Sequence, residues 1–277
     1  MKAGRTKKIL DFLFAALISY AALVLFFYVQ QRYFIYVPDI TRPQPAAFGA
    51  SDMEEISVHT DDDLTLHGWY KAPAQKRKKK PVLLMFHGNA GHIGIRAFKA
   101  RPFLKKGYGF LLAEYRGYGG NPGKISEAGF YDDARAYIKW LGENGVPPEN
   151  IVLYGESVGT GVAVQMAVEY PDIRAIALEA PYTALHKVAQ KHMFLLPATL
   201  MLKDRFENTQ KIVGVTAPLL IFNGALDRIV PPVMGQALYD AANEPKTLEI
   251  FPYAGHNDLY LHGAGEAMLF FLESLDK

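Results

Sequence analysis

Residues 151–161 read IVLYGESVGTG, and this stretch decides the fold that the sequence predicts. Its first four residues form an apolar run of the kind found in short strands buried on both faces. A helical pattern follows over residues 158–169. The intervening turn carries the motif G-x-S-x-G at residues 155–159, which bends a strand sharply into a helix and exposes the serine hydroxyl at its tip. Ser157 is therefore the candidate nucleophile.

A glycine-rich turn that opens a helix could instead bind phosphate groups. A P-loop ends in Gly-Lys-Ser/Thr, whereas GESVGTG contains no lysine. The dinucleotide fingerprint G-x-G-x-x-G fits Gly159 and Gly161, but Val164 occupies the position of its third glycine. Both nucleotide interpretations are discarded.

Apolar runs and helical patterns alternate on both sides of this turn. A hairpin is predicted from residues 54–60 and 64–71, and further strands at 81–86, 109–113, 151–154, 175–178, 219–222 and 247–251. Helices are predicted at 96–106, 126–141, 158–169, 233–242 and 266–275. This alternation predicts an α/β fold with a mainly parallel central sheet and helices on both faces.

One segment interrupts the alternation. Residues 182–215 contain no clear strand, and their centre, MFLLPATLML at 193–202, is strongly apolar. An insertion here would lie over the carboxyl ends of the strands. We interpret it as a short lid insertion that lines an acyl pocket; the alternative is a helix packed on the core.

A serine nucleophile also needs donors for the negative charge that develops on the carbonyl oxygen. HGNAG follows the predicted strand 81–86 directly, and its glycines let the backbone turn an amide toward the nucleophile. We expect the oxyanion hole to consist of the backbone N–H groups of Asn89 and Val158. His87 is interpreted as a packed loop histidine without a catalytic role.

The general base and its orienting acid should follow the serine in the order acid, then histidine. Asp227 follows a predicted strand on a loop, and His256 lies between the last predicted strand and the last predicted helix. Asp258 is too close to His256 in the chain to turn back toward its imidazole. The predicted catalytic residues are therefore Ser157, Asp227 and His256.

From about residue 54 to residue 275 the chain resembles the α/β-hydrolase superfamily. Within it the chain is similar to a membrane-anchored subgroup with the motifs YVPD, HGNAG, YRGYG and GHND, here at 36–39, 87–91, 115–119 and 255–258. The resemblance implies the same triad, Ser157, Asp227 and His256. It also implies an esterase, thioesterase or depalmitoylase-like activity. We interpret the YRGYG segment as a structural loop.

Composition narrows the possible partners. Thirty basic and 28 acidic residues leave a net charge of +2, which argues against nucleic acid as the main partner. The chain has no cysteine, so disulfides, thiolate metal sites and cysteine nucleophiles are excluded.

We expect no metal or organic cofactor. The expected partner is a small-molecule, lipid or acyl-protein substrate of ester or thioester type. The alternatives are a serine peptidase on the same triad and a catalytically silent binding protein.

The first thirty residues predict a membrane anchor. Residues 9–29 are apolar except for Asp11 and, as a helix, are long enough to cross the hydrocarbon core of a bilayer. The predicted organisation is a basic tail at 1–8, an anchor at 9–29, a linker at 30–50 and a hydrolase domain at 51–277. A cleaved signal peptide is the alternative, but this apolar run is longer than usual and no small-residue cleavage site follows it.

The basic tail also predicts the orientation of the anchor. Lys2, Arg5, Lys7 and Lys8 precede the apolar run, and such residues remain in the cytoplasm. The catalytic domain would then be periplasmic in a bacterium, or lumenal or extracellular in a eukaryote. A lysine-rich run at residues 76–80 is interpreted as a solvated hairpin turn, with attraction to anionic lipid headgroups as the alternative.

Overall fold

A computed structural model describes residues 2–74 and 80–275, and within them eight strands form one sheet. The strands are β1 Glu54–His59, β2 Thr65–Lys71, β3 Val82–Phe86, β4 Gly109–Ala113, β5 Ile151–Glu156, β6 Ala175–Glu179, β7 Leu219–Gly224 and β8 Lys246–Phe251. Their order across the sheet is β8-β7-β6-β5-β3-β4-β2-β1. Strand β2 is antiparallel to both of its neighbours, whereas the other pairs are parallel. The predicted hairpin and mainly parallel sheet are confirmed.

Helices cover both faces of the sheet, as predicted. They are α1 Lys2–Ile35, α2 Ala97–Lys105, α3 Glu127–Glu143, α4 Gly159–Glu169, α5 Leu185–His192, α6 Ala198–Met201, α7 Asn208–Ile212, α8 Pro232–Ala241 and α9 Ala264–Ser274. Helices α2 and α9 share one apolar core with one face of the sheet, and α3, α4 and α8 share a second core with the other face. Because the central strands are apolar on both faces, the sheet stabilises both cores at once.

The segment between β6 and β7 folds into the three short helices α5, α6 and α7. It occupies residues 182–215, for which a lid insertion was predicted, and we use the word lid as a name for these residues. The lysine-rich run proposed as a solvated turn lies outside the described residues, except for Lys80.

The N-terminal segment is more ordered than the sequence indicated. Helix α1 is long and apolar enough to cross a membrane, and its most apolar window buries no residue inside the protein. It continues to Ile35, six residues beyond the expected end of the anchor. In the segment expected to be an irregular linker, Val37–Pro38 pairs in parallel with Ala90–Gly91, and Pro45–Phe48 forms a 3₁₀ turn. This segment is ordered because distant parts of the chain provide its hydrogen-bond partners, such as Ala90–Gly91.

Candidate active site

The sharp turn at the end of β5 places Ser157 above the carboxyl edge of the sheet. Ser157 has a φ of 50°, in the left-handed region that residues with a side chain rarely adopt. The turn is possible because two glycines approach other backbone atoms. A Cβ on Gly155 would lie 2.6 Å from the oxygen of Gly159, and a Cβ on Gly159 would lie 2.0 Å from the oxygen of Phe86. Side chains at these two positions are therefore sterically excluded.

The structure brings together the three residues predicted as catalytic. The Oγ of Ser157 lies 3.0 Å from Nε2 of His256, and Nδ1 of His256 lies 2.7 Å from Oδ2 of Asp227. The other carboxylate oxygen of Asp227 accepts hydrogen bonds of 2.8 Å from the amides of Ile229 and Val230. With both oxygens engaged and the side chain buried, Asp227 is fixed in an orientation that faces the imidazole.

The loop that carries His256 is held in turn by Asp258. The Oδ1 of Asp258 accepts a hydrogen bond of 2.6 Å from the amide of Gly255. Asp258 therefore faces the backbone of its own loop, whereas Asp227 faces the ring of His256. This geometry agrees with the choice of Asp227 over Asp258.

The two amides expected to form the oxyanion hole lie beside the serine. Asn89 and Val158 line the same cavity as Ser157. Neither backbone N–H has a hydrogen-bond partner among residues 2–74 and 80–275. Both amides are therefore available to an atom that enters the cavity.

The HGNAG loop is fixed from behind by the YRGYG segment. The hydroxyl of Tyr118 donates a 2.8 Å hydrogen bond to the carbonyl of Asn89, and that of Tyr115 donates one of 3.2 Å to the carbonyl of His87. The ring of His87 is fully buried and its Nε2 lies 2.8 Å from Glu114. His87 thus packs inside the loop, as predicted, and the structural loop proposed at 115–119 supports the neighbouring amide.

Buried charges lie beneath the turn. Lys99 contacts Glu156 at 2.8 Å and Glu179 at 2.7 Å, and Arg96 contacts Glu156 at 3.1 Å. Burial raises the pKa of Glu156, but Lys99 and Arg96 outweigh it and hold that pKa below the ordinary range. The amide of Ser157 donates a 2.8 Å hydrogen bond to the backbone carbonyl of Glu179, whose side chain belongs to this charged cluster.

The chain is similar to known proteins over most of its length. A family model described as alpha/beta hydrolase fold matches residues 81–217. An uncharacterised protein of Mycobacterium tuberculosis is 39% identical over 240 residues, which cover 86% of this chain and 84% of that protein. The chain belongs to the alpha/beta hydrolase fold family. A lysophosphatidylserine lipase of Danio rerio is 28% identical over 267 residues, and the aligned part covers 82% of this hydrolase and 67% of the lipase.

A solved structure shows the same fold. An esterase of Pyrococcus furiosus superposes on the hydrolase with a TM-score of 0.69, covering 87% of this chain and 97% of the esterase. At 18% sequence identity the likeness concerns the fold. The family model and the relative at 39% identity confirm the family expected from the sequence motifs, and the esterase structure confirms the fold.

A cavity of about 470 Å³ opens above Ser157 of the hydrolase. One side is formed by the lid, with Leu185, Val188 and Met193 among its lining residues. The cavity can therefore hold an apolar group next to the serine hydroxyl. Within the described ranges, no cluster of His, Asp and Glu is arranged to hold a metal ion.

The end of α1 also contributes to the site of the hydrolase, although these residues were expected to belong to a linker. Phe34 and Ile35, at the end of α1, line the cavity of Ser157. The side chain of Asn89 donates a 2.5 Å hydrogen bond to the carbonyl of Ile35, so the membrane-type helix contacts the oxyanion loop. A local signal was the polar run of Gln30, Gln31 and Arg32, which follows the apolar span of the helix.

Proposed function

We propose that this hydrolase cleaves ester or thioester bonds of apolar acyl groups through a Ser157–His256–Asp227 triad and an acyl-enzyme. The observation that carries the proposal is the continuous hydrogen-bonded chain from Ser157 through His256 to Asp227. The serine lies in a strained turn, beneath a cavity with mainly apolar walls. This arrangement is the one that activates a serine hydroxyl for attack on a carbonyl carbon.

In the first half of the proposed reaction, Oγ of Ser157 attacks the carbonyl carbon while Nε2 of His256 takes the hydroxyl proton. Asp227 stabilises the imidazolium and keeps the ring in the required tautomer. The amides of Asn89 and Val158 donate hydrogen bonds to the oxyanion. The tetrahedral intermediate then collapses, the bond to the alcohol or thiol breaks, and His256 gives that leaving group its proton.

In the second half, water hydrolyses the acyl-enzyme. His256 takes a proton from the water as its oxygen attacks the acyl carbon, and the same amides bind the second oxyanion. The bond to Oγ breaks, His256 returns the proton to Ser157, and the carboxylic acid leaves. The names of two similar proteins, a lipase and an esterase, support a carbonyl ester as the bond cleaved.

The experiment that tests the triad uses the Ser157→Ala variant of the full chain. A fluorophosphonate probe should label the wild-type hydrolase and leave the variant unlabelled. The rate of p-nitrophenyl ester hydrolysis should fall at least about 10³-fold. The exposed Ser51→Ala variant is the matched control and should retain both signals.

Three results would contradict this function. Unchanged ester hydrolysis by Ser157→Ala would remove the serine from the mechanism. Faster cleavage of peptide anilides than of any ester by the wild-type protein would instead indicate a peptidase on the same triad. Absence of both probe labelling and hydrolysis in the wild type would indicate a binding protein.

We also propose that α1 stays attached as a single-pass anchor. Its end is held by two hydrogen bonds of 2.8 and 2.9 Å between Arg32 and Asp204 of the lid segment. Removal of the helix by a signal peptidase would take Phe34 and Ile35 away from the wall of the cavity. An uncleaved anchor therefore agrees better with the site than a cleaved signal peptide does.

A further inference from the structure

A second, narrow cavity lies between α1 and the lid, and we call it the seam. It is lined by apolar side chains from residues 27–35 and 193–202, together with Gln31. Three of them, Phe34, Ile35 and Met193, also line the cavity of Ser157. The two cavities therefore adjoin, and one wall of each belongs to the membrane-type helix.

The lid runs back along α1 toward the apolar span. At one end of this contact Arg32 binds Asp204, and at the other the hydroxyl of Tyr20 donates a 2.9 Å hydrogen bond to the carbonyl of Leu195. At about 1.5 Å per residue, Tyr20 lies about 14 Å along the helix from Val29, the expected end of the span. The tip of the lid therefore reaches the level of the hydrocarbon core.

The exposed side chains of the lid agree with that level. Phe194, Leu195 and Leu200 are 77%, 69% and 85% exposed. Three large apolar side chains beside an apolar helix would form an unfavourable patch in water, but they match the interior of a bilayer. We therefore expect the exposed side of the lid, beside the seam, to contact lipid acyl chains.

From these contacts we infer that the substrate is a long-chain acyl ester lipid resident in the bilayer, with its acyl tail lying in the seam. The inference rests on the proposed function of Ser157. The ester carbonyl reaches Ser157 at the membrane surface while the tail remains between α1 and the lid. The seam encloses only about 20 Å³, so an entering tail must part the lid from the helix.

Two residues of the lid provide a test and its matched control. Met201 lines the seam, whereas Lys187 on α5 is exposed and lines neither cavity. Because the chain has no cysteine, Met201→Cys and Lys187→Cys each introduce a unique thiol. The full chain is reconstituted in phosphatidylcholine vesicles. Each thiol is then modified with a bulky methanethiosulfonate reagent, and a reducing agent removes the group again.

Two substrates are compared, a C16 ester lipid embedded in the vesicles and soluble p-nitrophenyl acetate. Modification of Met201→Cys should slow hydrolysis of the C16 lipid at least about tenfold and that of the acetate less than about twofold. Reduction should restore the first rate, and modified Lys187→Cys should keep both. An undiminished C16 rate, or an equal loss with both substrates, would overturn the inference.

A binding experiment separates this inference from the proposed function. The Ser157→Ala variant in vesicles is irradiated with a lipid that carries a diazirine on its acyl chain. Adducts within residues 27–35 and 193–202 support the seam even if neither ester is hydrolysed, in which case the proposed function alone fails. Adducts confined to residues 9–26 overturn the seam even if Ser157 is an active nucleophile.

Discussion

Gly159 lies where α4 passes closest to the end of β3. A methyl group there would meet the carbonyl oxygens of Phe86 at 2.0 Å and His87 at 2.8 Å. We expect Gly159→Ala to destabilise the protein by about 3 kcal/mol or more and to lower the melting temperature by at least about 6 °C. Thermal unfolding of the detergent-solubilised chain measures this.

Gly142→Ala is the matched control. Gly142 lies near the end of α3, and an added Cβ there meets nothing within 4 Å. We expect a stabilisation of about 0.5 kcal/mol, because alanine loses less backbone entropy than glycine when a helix forms. Equal melting temperatures for the two variants would contradict the steric explanation of the turn.

Tyr118 should affect catalysis through the oxyanion loop. Its hydroxyl is bonded to the carbonyl of Asn89, so Tyr118→Phe loosens the amide that follows Gly88. A hydrogen bond is worth about 1 kcal/mol, and we expect kcat to fall about fivefold with KM nearly unchanged. Steady-state kinetics with p-nitrophenyl esters gives both constants.

The corresponding control is Tyr137→Phe. The hydroxyl of Tyr137 donates to the carbonyls of His67 and Glu114 inside the core. Its removal should lower the melting temperature and leave kcat within about twofold. If Tyr118→Phe changed only the melting temperature as well, Tyr118 would have a purely structural role.

The three side chains that lie together at the candidate site could be proposed from the sequence, whereas the residues that support them could not. Ser157, Asp227 and His256 each follow a recognisable strand, and the order of the triad restricts the choice. The bond from Tyr118 to Asn89 joins two loops through a backbone carbonyl. Such a bond leaves no local pattern, because any residue could provide the carbonyl.

At the scale of elements, the turn of the β1–β2 hairpin is held by an ion pair with the YRGYG segment. The guanidinium of Arg116 contacts the carboxylate of Asp62 at 2.8 and 3.0 Å. Hydrogen bonds from Arg116 and then from Thr60 lower the pKa of Asp62 to about 2. Ionised Asp62 therefore stabilises the folded state above about pH 4, and this stabilisation is lost as the pH falls toward 2.

We expect Asp62→Asn to melt below the wild type at pH 7, with a difference that narrows by pH 3. The effect should stay below about 1 kcal/mol, since the carboxylate is half-exposed and solvent screens the pair. Asp61→Asn, a change at the exposed neighbour in the same turn, should match the wild type at both pH values. A difference for Asp62→Asn that is constant with pH would exclude this ion pair as its cause.

Elements with a strong internal pattern were predicted well. The apolar runs of β3, β5 and β7 are buried on both faces, so nearly every residue carries the signal. The end of α1 was not predicted, because the residues that hold its last turns are distant in sequence. Gln31 accepts a hydrogen bond from the amide of Lys203 and donates one to the carbonyl of Met201.

For the molecule as a whole, the basic tail before α1 predicts the orientation in a membrane. In a bacterial host, alkaline phosphatase fused to the C-terminus should be active and green fluorescent protein fused there should be dark. Replacing Lys7 and Lys8 by glutamine should weaken this contrast. Bright fluorescence with inactive phosphatase in the unsubstituted protein would reverse the orientation.

The fold class of the whole molecule was predictable from sequence, and the attachment of α1 was not. Alternating strands and helices allow few arrangements of a parallel sheet, since its connections are right-handed and short. A helix apolar on all sides gives no information about which neighbour it touches. The sequence therefore did not predict that Arg32 contacts Asp204 or that Phe34 lines the cavity, and only the structure shows these contacts.

The contact between Arg32 and Asp204 has a consequence for biosynthesis. The two residues are separated by 172 positions, so a ribosome working at about 5–20 residues per second makes them about 10–35 s apart. During that interval the helix is already made while its partner does not yet exist. Translation stalled before residue 204 would leave a helix without its docking site. The first segment synthesised therefore cannot take its final position until residue 204 has been made.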